Sequence, residues 1–361
     1  MGNGTENLSI AKIMNQYFVS MGKVQAKPFQ NISTAFTSDT PSSKFHLDNV
    51  NVNFVRNALK SLKPNKAVGL DKLSARLLKD ASNVIAQTLT GLINKSFSDG
   101  VFPRVWKCAK VIALFKDGDK SIKDNYRPIS ILPTISKIIE RSAHIQLSSF
   151  LEVNRLLSQS QFGFQLKRST STALIDFTDQ VLENMDKGCV TGTVFPDFHK
   201  VFNTVNYLLL INKLKSLGVA GKSLEWFRSS LTGGVKKTMC VNALSASAKV
   251  TMGVPQGSIL RPLLFLVYID GVQSELQHSK MTIFADDIAF NCHENSQTNL
   301  QSKLNADLAA TTSWLHNNKL TLNVTKSKFM VIGGRDKLSQ FNDIALVANN
   351  DQLETLPNSS I

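Results

Sequence analysis

Cysteine is scarce and unpatterned. Cys108, Cys189, Cys240 and Cys292 are the four in the chain and share no CxxC spacing, so neither a disulfide framework nor a zinc ribbon is encoded. The six histidines are equally scattered. No apolar run is long: Leu263 to Ile269 is the longest, far below the ~20 residues that span a bilayer. The opening residues (MGNGTENLSI) lack the charged-then-apolar profile of a secretion signal, and Glu6 stands where a myristoylation site needs Ser or Thr. There is no basic amphipathic helix and no internal repeat. These absences lead to the expectation of a reduced, intracellular, soluble protein without a membrane partner.

Acidic residues are also in deficit. Asp and Glu number 27 against 41 Lys and Arg, a formal net charge of +14, and the excess favours a polyanionic partner. The positive charge is spread along the chain, as in a groove that follows a phosphate backbone. With 361 residues, of which 42% are hydrophobic, the chain can bury one large core or two smaller ones.

What is present centres on Met281 to Cys292, MTIFADDIAFNC. Short apolar runs on both sides of Asp286 and Asp287 read as two buried strands meeting at a tight turn. Adjacent carboxylates at such a tip repel each other and lose hydration when buried; a divalent cation such as Mg²⁺ suits an all-oxygen site. An exposed turn, where Asp is common for its own reasons, is the plainer alternative.

Earlier in the chain, residues 1–30 carry a weak helical period, and residues 31–44 read as a Ser/Thr-rich linker. Helical periods follow through Val52 to Leu62, through Leu73, Leu77 and Leu78, and up to Asp99-Gly100. Lys110 to Phe115 and Asn125 to Leu132 read as strands joined at Asp117-Gly118-Asp119. That hairpin carries Lys110, Lys116 and Arg127, cations that a triphosphate would require, although a solvated hairpin face is also allowed. Thr172 to Met185 reads as a helix and Thr191 to Phe195 as a strand with Asp197 just beyond it. Asp197 is placed as a metal ligand or as an ordinary helix N-cap. Ser223 to Leu231 reads as a helix; Thr238 to Val241 and Lys249 to Met252 read as strands. Gly253 to Ser258 is a two-glycine turn that lets backbone approach a ligand closely, or a plain connection with Ser258 as cap. Leu300 to Leu315 marks an amphipathic helix, and Lys319 to Ile332 a β-prone run broken by Asn323 to Lys328. Residues 337–361 are polar without a strong period.

The order of these elements resembles the reverse transcriptase domain of non-LTR (LINE-type, jockey-like) retrotransposons. The motifs are FKDGD…NYRPISIL (Phe115 to Leu132), QFGF (Gln161 to Phe164), GVPQGSIL (Gly253 to Leu260), FADD (Phe284 to Asp287) and WLHNNKLTLN…K (Trp314 to Lys326). The resemblance implies an α+β right-hand polymerase with fingers and palm, the palm a small antiparallel sheet backed by helices. It divides the chain into a leader and linker at 1–48, fingers at 49–175, palm at 176–336 and a polar tail at 337–361 that stops before a full thumb. The implied activity is RNA-directed DNA polymerisation with two Mg²⁺ ions, Mn²⁺ being the substitute. Its partners are an RNA template, a DNA primer and deoxynucleoside triphosphates. Residue by residue, it implies Asp197, Asp286 and Asp287 as metal ligands and Lys116 and Arg127 as triphosphate-gripping groups. It also implies Phe202 beneath the incoming sugar, Gln256 near template and nucleotide, and Lys326 near the departing pyrophosphate.

Departures from the family pattern are Pro196 before the first aspartate, Val201 and Asn203 in the helix start after it, and Arg261 where glycine is usual. Gln165 and Gly234 stand where arginines are common. They raise a second reading, a decayed retrotransposon relic that at most binds nucleic acid.

Overall fold

A computed structural model describes residues 4–25, 43–357 and 359–360; most of the expected linker at 31–44 lies outside them. The chain is a mixed α/β protein in two compact units. One holds residues up to 156 together with 202–264, the other 157–201 together with 265 onward. The strands that build the two main sheets are β1 (Cys108–Phe115), β2 (Tyr126–Ile131), β3 (Val190–Phe195), β4 (Val235–Cys240), β5 (Ala243–Leu244), β6 (Ala248–Lys249), β7 (Lys280–Phe284), β8 (Asp287–Glu294) and β9 (Lys328–Gly333). Among the described residues no helix is long and apolar enough to cross a membrane.

In the first unit the sheet runs β2-β1-β4-β5, with β6 also on β4. β1 and β2 form the expected antiparallel hairpin, from Lys110 opposite Ile131 to Phe115 opposite Tyr126. Gly118 turns the connection with φ of 82°, a conformation glycine adopts without steric cost. Ala109 and Val111 face inward, where they meet Met14, Phe18 and Met21 of the helix Gly4–Gln25. The helices Val52–Lys60, Ala75–Asp80 and Ser82–Asp99 begin or end on recognisable signals. Asn51 and Ser74 cap the first two with side-chain acceptors, and Gly100, at φ 71°, ends the third. Trp226, fully buried, packs 5.3 Å from both Phe97 and Phe102. Its indole N–H donates to Ser96 Oγ at 2.9 Å, satisfying the one polar atom it buries. The expected strand Lys249 to Met252 is displaced and shorter: the strand is Ala248–Lys249, continued by the bond from Val250 N–H to Gly234 O at 2.9 Å.

In the second unit β9-β3-β8-β7 is antiparallel throughout. β3 lies at its centre with five consecutive buried residues, the pattern of a strand covered on both faces. Gly192 lets the helix Gln297–Asn317 approach closely: a Cβ there would stand 2.6 Å from Leu304 Cδ1. The helix Thr170–Asp186 starts on a capping box between Ser169 and Thr172. Residues beyond 337, aperiodic in sequence, still pair. Val347–Ala348 turns onto Asp351–Gln352 through Asn349 and Asn350, both at positive φ, as a type I′ turn requires. Glu354–Thr355 then adds a short parallel strand to β9.

Candidate active site

The carboxylates of the second unit are placed by strand register. β7 and β8 pair up to Phe284 opposite Asp287, so Ala285 and Asp286 form a two-residue connection. Ala285 has φ of 59° while Asp286 does not, the sign pattern of a type II′ turn, whose first central residue is ordinarily glycine. Asp286 and Asp287 are both exposed at the tip. β3 and β8 pair from Val190 opposite Glu294 to Val194 opposite Phe290. Continued past the last pair, that register sets Asp197 level with Asp287.

Asp197 is half-buried and held by the stretch that follows the long helix. Its backbone N–H donates to Ser327 Oγ at 3.0 Å, and its C=O accepts from Asn323 N–H at 2.8 Å. One carboxylate oxygen accepts from Asn323 Nδ2 at 2.8 Å. The bridge between Phe198 and Leu322 extends the same contact. Lys326, exposed, ends the short 3₁₀ turn Val324–Lys326 within this splint. The helix after Asp197 starts only at Val201, so Asp197 is not its N-cap.

Among the described residues no three of His, Cys, Asp and Glu converge closely enough to hold an ion. Asp197, Asp286 and Asp287 do not close into such a cluster. The donor set is oxygen only, hard and anionic, which fits Mg²⁺ or Mn²⁺ and not a softer metal.

The first unit concentrates the positive charge. Its described residues carry 29 Lys and Arg against 11 Asp and Glu, whereas the second unit has 11 against 15; a polyanion is therefore drawn to the first. The β1/β2 register puts Lys110, Lys116 and Arg127 on one face of the hairpin. Lys116 and Arg127 are exposed, with Ile112, Leu114 and Ile129 partly exposed beside them.

The Gly253–Ser258 turn is fixed from several sides of the same unit. Gly253 N–H and Val254 N–H donate to the carbonyls of Val205 and Phe202 at 2.9 Å each, and Tyr207 Oη donates to Gly253 O at 2.7 Å. A Cβ on Gly253 would lie 2.6 Å from Asn203 O, and one on Gly257 would lie 2.2 Å from Ser130 O; glycine is needed at both. Gln256 C=O accepts from Ser130 N–H at 2.7 Å, while Gln256 Oε1 is enclosed and makes no hydrogen bond. Ser258, expected as a helix cap, instead donates to Glu140 Oε2 at 2.8 Å, and the same oxygen accepts from Ile259 N–H at 2.6 Å. Glu140 is fully buried, and that burial pushes its carboxyl above the ordinary range against the pull of these donors. Phe202 is half-buried, with the Arg261 guanidinium carbon 4.0 Å from its ring centroid.

Sequence reading missed Asn323, Glu140 and the role of Arg261. Asn323 and Glu140 stand inside recognisable motifs or beside them, but only their partners, 126 and 118 residues away, show what they hold.

Residues 116–356 match the family described as reverse transcriptase (RNA-dependent DNA polymerase). The chain is similar to the RNA-directed DNA polymerase from mobile element jockey of Drosophila funebris, 29% identical over 269 residues, which are 72% of this chain and 29% of that relative. The protein of the same name from Drosophila melanogaster is 29% identical over 300 residues, 80% of this chain and 32% of the relative. The chain thus spans about a third of the length of these relatives.

Proposed function

The chain belongs to the reverse transcriptase (RNA-dependent DNA polymerase) family, and from that premise we propose that it extends a DNA primer along an RNA template from deoxynucleoside triphosphates. What supports the reading is the family match over residues 116–356, together with the β3–β8 register, which, continued three residues past its last pair, would bring Asp197 level with Asp287. On this reading residues 49–175 supply fingers and residues 176–336 a palm, whose sheet is β9-β3-β8-β7. The retroelement relatives make an intracellular site of action part of the proposal.

Asp197, Asp286 and Asp287 would hold two divalent ions, Mg²⁺ or Mn²⁺. Such ions, when bound, favour ionisation of the primer 3′-hydroxyl and neutralise charge on the phosphates. Lys116 and Arg127 bind the triphosphate from one hairpin face, Arg127 by its planar fork and Lys116 as a mobile charge. Phe202 would lie beneath the incoming sugar and disfavour a 2′-hydroxyl. Gln256, in the turn held by Ser130, would lie near template and nucleotide. Lys326 supplies positive charge for the leaving pyrophosphate.

The alternative of a decayed relic is not favoured, because three departures beside Asp197 are accommodated, although Gln165 buries an amide nitrogen without a hydrogen bond. Pro196 lies one residue beyond the last ladder pair of β3, Phe195 with Lys328, so its missing N–H costs no strand hydrogen bond. Asn203 keeps the backbone approach of Gly253, and Val201 is buried. Primer extension on an RNA template with Mg²⁺ tests the proposal. Extension abolished by Asp286→Ala/Asp287→Ala is the expected result; extension that survives the double substitution, or none by the wild type, overturns it.

A further inference from the structure

We infer that Gln161 and Gly163 are positioning residues that hold the carboxylate-bearing turn, an inference that rests on the polymerase reading above. The segment around them runs parallel beside β7 and joins it through one isolated bridge. Ile283 N–H donates to Ser160 O at 2.8 Å, Phe162 N–H donates to Ile283 O at 2.7 Å, and Gln161 bridges to Ile283. The Gln161 side chain, 3% exposed, is aimed at the turn itself. Its Oε1 accepts from Gly163 N–H at 2.7 Å and from Ala285 N–H at 3.0 Å, and its Nε2 stands 3.5 Å from Ala285 O. One amide therefore faces both backbone polar groups of the residue before Asp286.

Ala285 needs such a hold. Its φ of 59° is one that an L-residue with a Cβ disfavours, and a type II′ turn of this kind ordinarily has glycine there. With alanine in place, the turn keeps its shape only if its surroundings over-determine it. Gly163 provides the second constraint. A Cβ on it would lie 2.3 Å from Ala285 N and 2.9 Å from Ala285 Cα, so only glycine lets the two backbones meet. The outer side of the segment is fixed by Arg168, which donates to Gln161 O at 2.9 Å and lies 5.0 Å from the Phe162 ring centroid. Asp286 follows Ala285 directly, so the φ that Gln161 enforces sets where its carboxylate emerges. Supporting hydrogen bonds of this kind typically change ligand-site function by roughly 10–100-fold when removed.

The test compares Gln161→Met, which keeps the length and loses both polar atoms, with Gly163→Ala, and each with Ala285→Gly added. Mn²⁺ binding is followed by electron paramagnetic resonance, alongside kcat for primer extension and primer–template Kd. Both single variants should weaken Mn²⁺ binding and lower kcat by about tenfold or more, with Kd for primer–template within about twofold. Ala285→Gly should restore most of the loss in Gln161→Met, because glycine holds positive φ unaided, and little in Gly163→Ala, where the clash is with backbone. Unchanged Mn²⁺ binding in Gln161→Met overturns the inference, as does a loss that Ala285→Gly leaves in place, which would mark Gln161 as ordinary core. Should the wild type extend no primer, the polymerase reading falls and Mn²⁺ binding alone decides the clamp. A wild type that binds no Mn²⁺ through Asp286 overturns the clamp as well.

Discussion

The guanidinium of Arg261 covers the ring of Phe202, 4.0 Å from guanidinium carbon to ring centroid. The residue that departs from the family's glycine thus touches the aromatic proposed to screen the incoming sugar. Arg261 is 9% exposed, and a desolvated cation–π contact is worth about 2 kcal/mol. Arg261→Gly should free the ring and raise ribonucleotide incorporation relative to deoxynucleotide, by several-fold and at most about 30-fold. Competitive incorporation assays read the ratio; a ratio identical to wild type would show that the stacking does not set sugar choice.

Glu140 gives a stability prediction with two arms. Its Oε2 accepts from both Ser258 and Ile259, so Glu140→Ala leaves enclosed donors unmatched and should cost about 2–4 kcal/mol. Glu140→Gln keeps an acceptor and removes a charge that burial disfavours, and should fall within about 1 kcal/mol of wild type. Because burial raises the folded-state pKa, the wild type binds more protons folded than unfolded above the ordinary Glu range, and it loses stability as pH rises there. Glu140→Gln should lack that decline. Urea unfolding at several pH values measures it, and equal damage from Ala and Gln would refute the hydrogen-bond account.

Lys236 points the other way in pH. Its ammonium donates to Phe18 O at 2.7 Å while lining a cavity of about 90 Å³ with Phe18, Trp106 and Leu231, and burial lowers its pKa to about 8. Between that value and the ordinary lysine range the folded chain binds fewer protons than the unfolded one, so stability rises with pH across that window. Holding the charge below pH 8 costs about 3 kcal/mol. Lys236→Met should therefore match or exceed wild-type stability at pH 7, and wild type should close the gap by about pH 10. Parallel pH profiles for the two proteins would disprove a buried, strained ammonium.

Local signals carried most of the architecture. The β1/β2 hairpin was legible because Asp117-Gly118-Asp119 separates two β-prone runs, and the helix ending at Gly100 because glycine follows a 3.6 period. Asp286 and Asp287 stood out for the cost of two carboxylates on an apolar hairpin. What was not legible depends on partners distant in sequence. Nothing near Glu140 announces Ser258, and nothing in QFGF reveals that Gln161 reaches Ala285. Pro196 looked disruptive from sequence because the end of β3 could not be placed to the residue; the register shows the ladder ending just before it. The pairing of residues 347–352 was hidden because two-residue strands have no period to read.

Asn323 offers the sharpest separation between holding a ligand and merely folding. Its side-chain amide donates to Asp197 at 2.8 Å, and its backbone N–H donates to Asp197 O at the same distance. Asn323→Ala removes the first bond and the one that Asn323 Oδ1 accepts from Thr325 Oγ1 at 2.9 Å, and keeps the second. It should lower kcat by roughly 10–100-fold, the usual penalty for losing a group that orients a metal ligand, and leave primer–template affinity within about twofold. Asn323→Asp keeps an acceptor for Thr325 but sets a like charge against Asp197, so its kcat should fall below that of Asn323→Ala. If Asn323→Asp retains more activity than Asn323→Ala, Asn323 serves the turn and not the carboxylate.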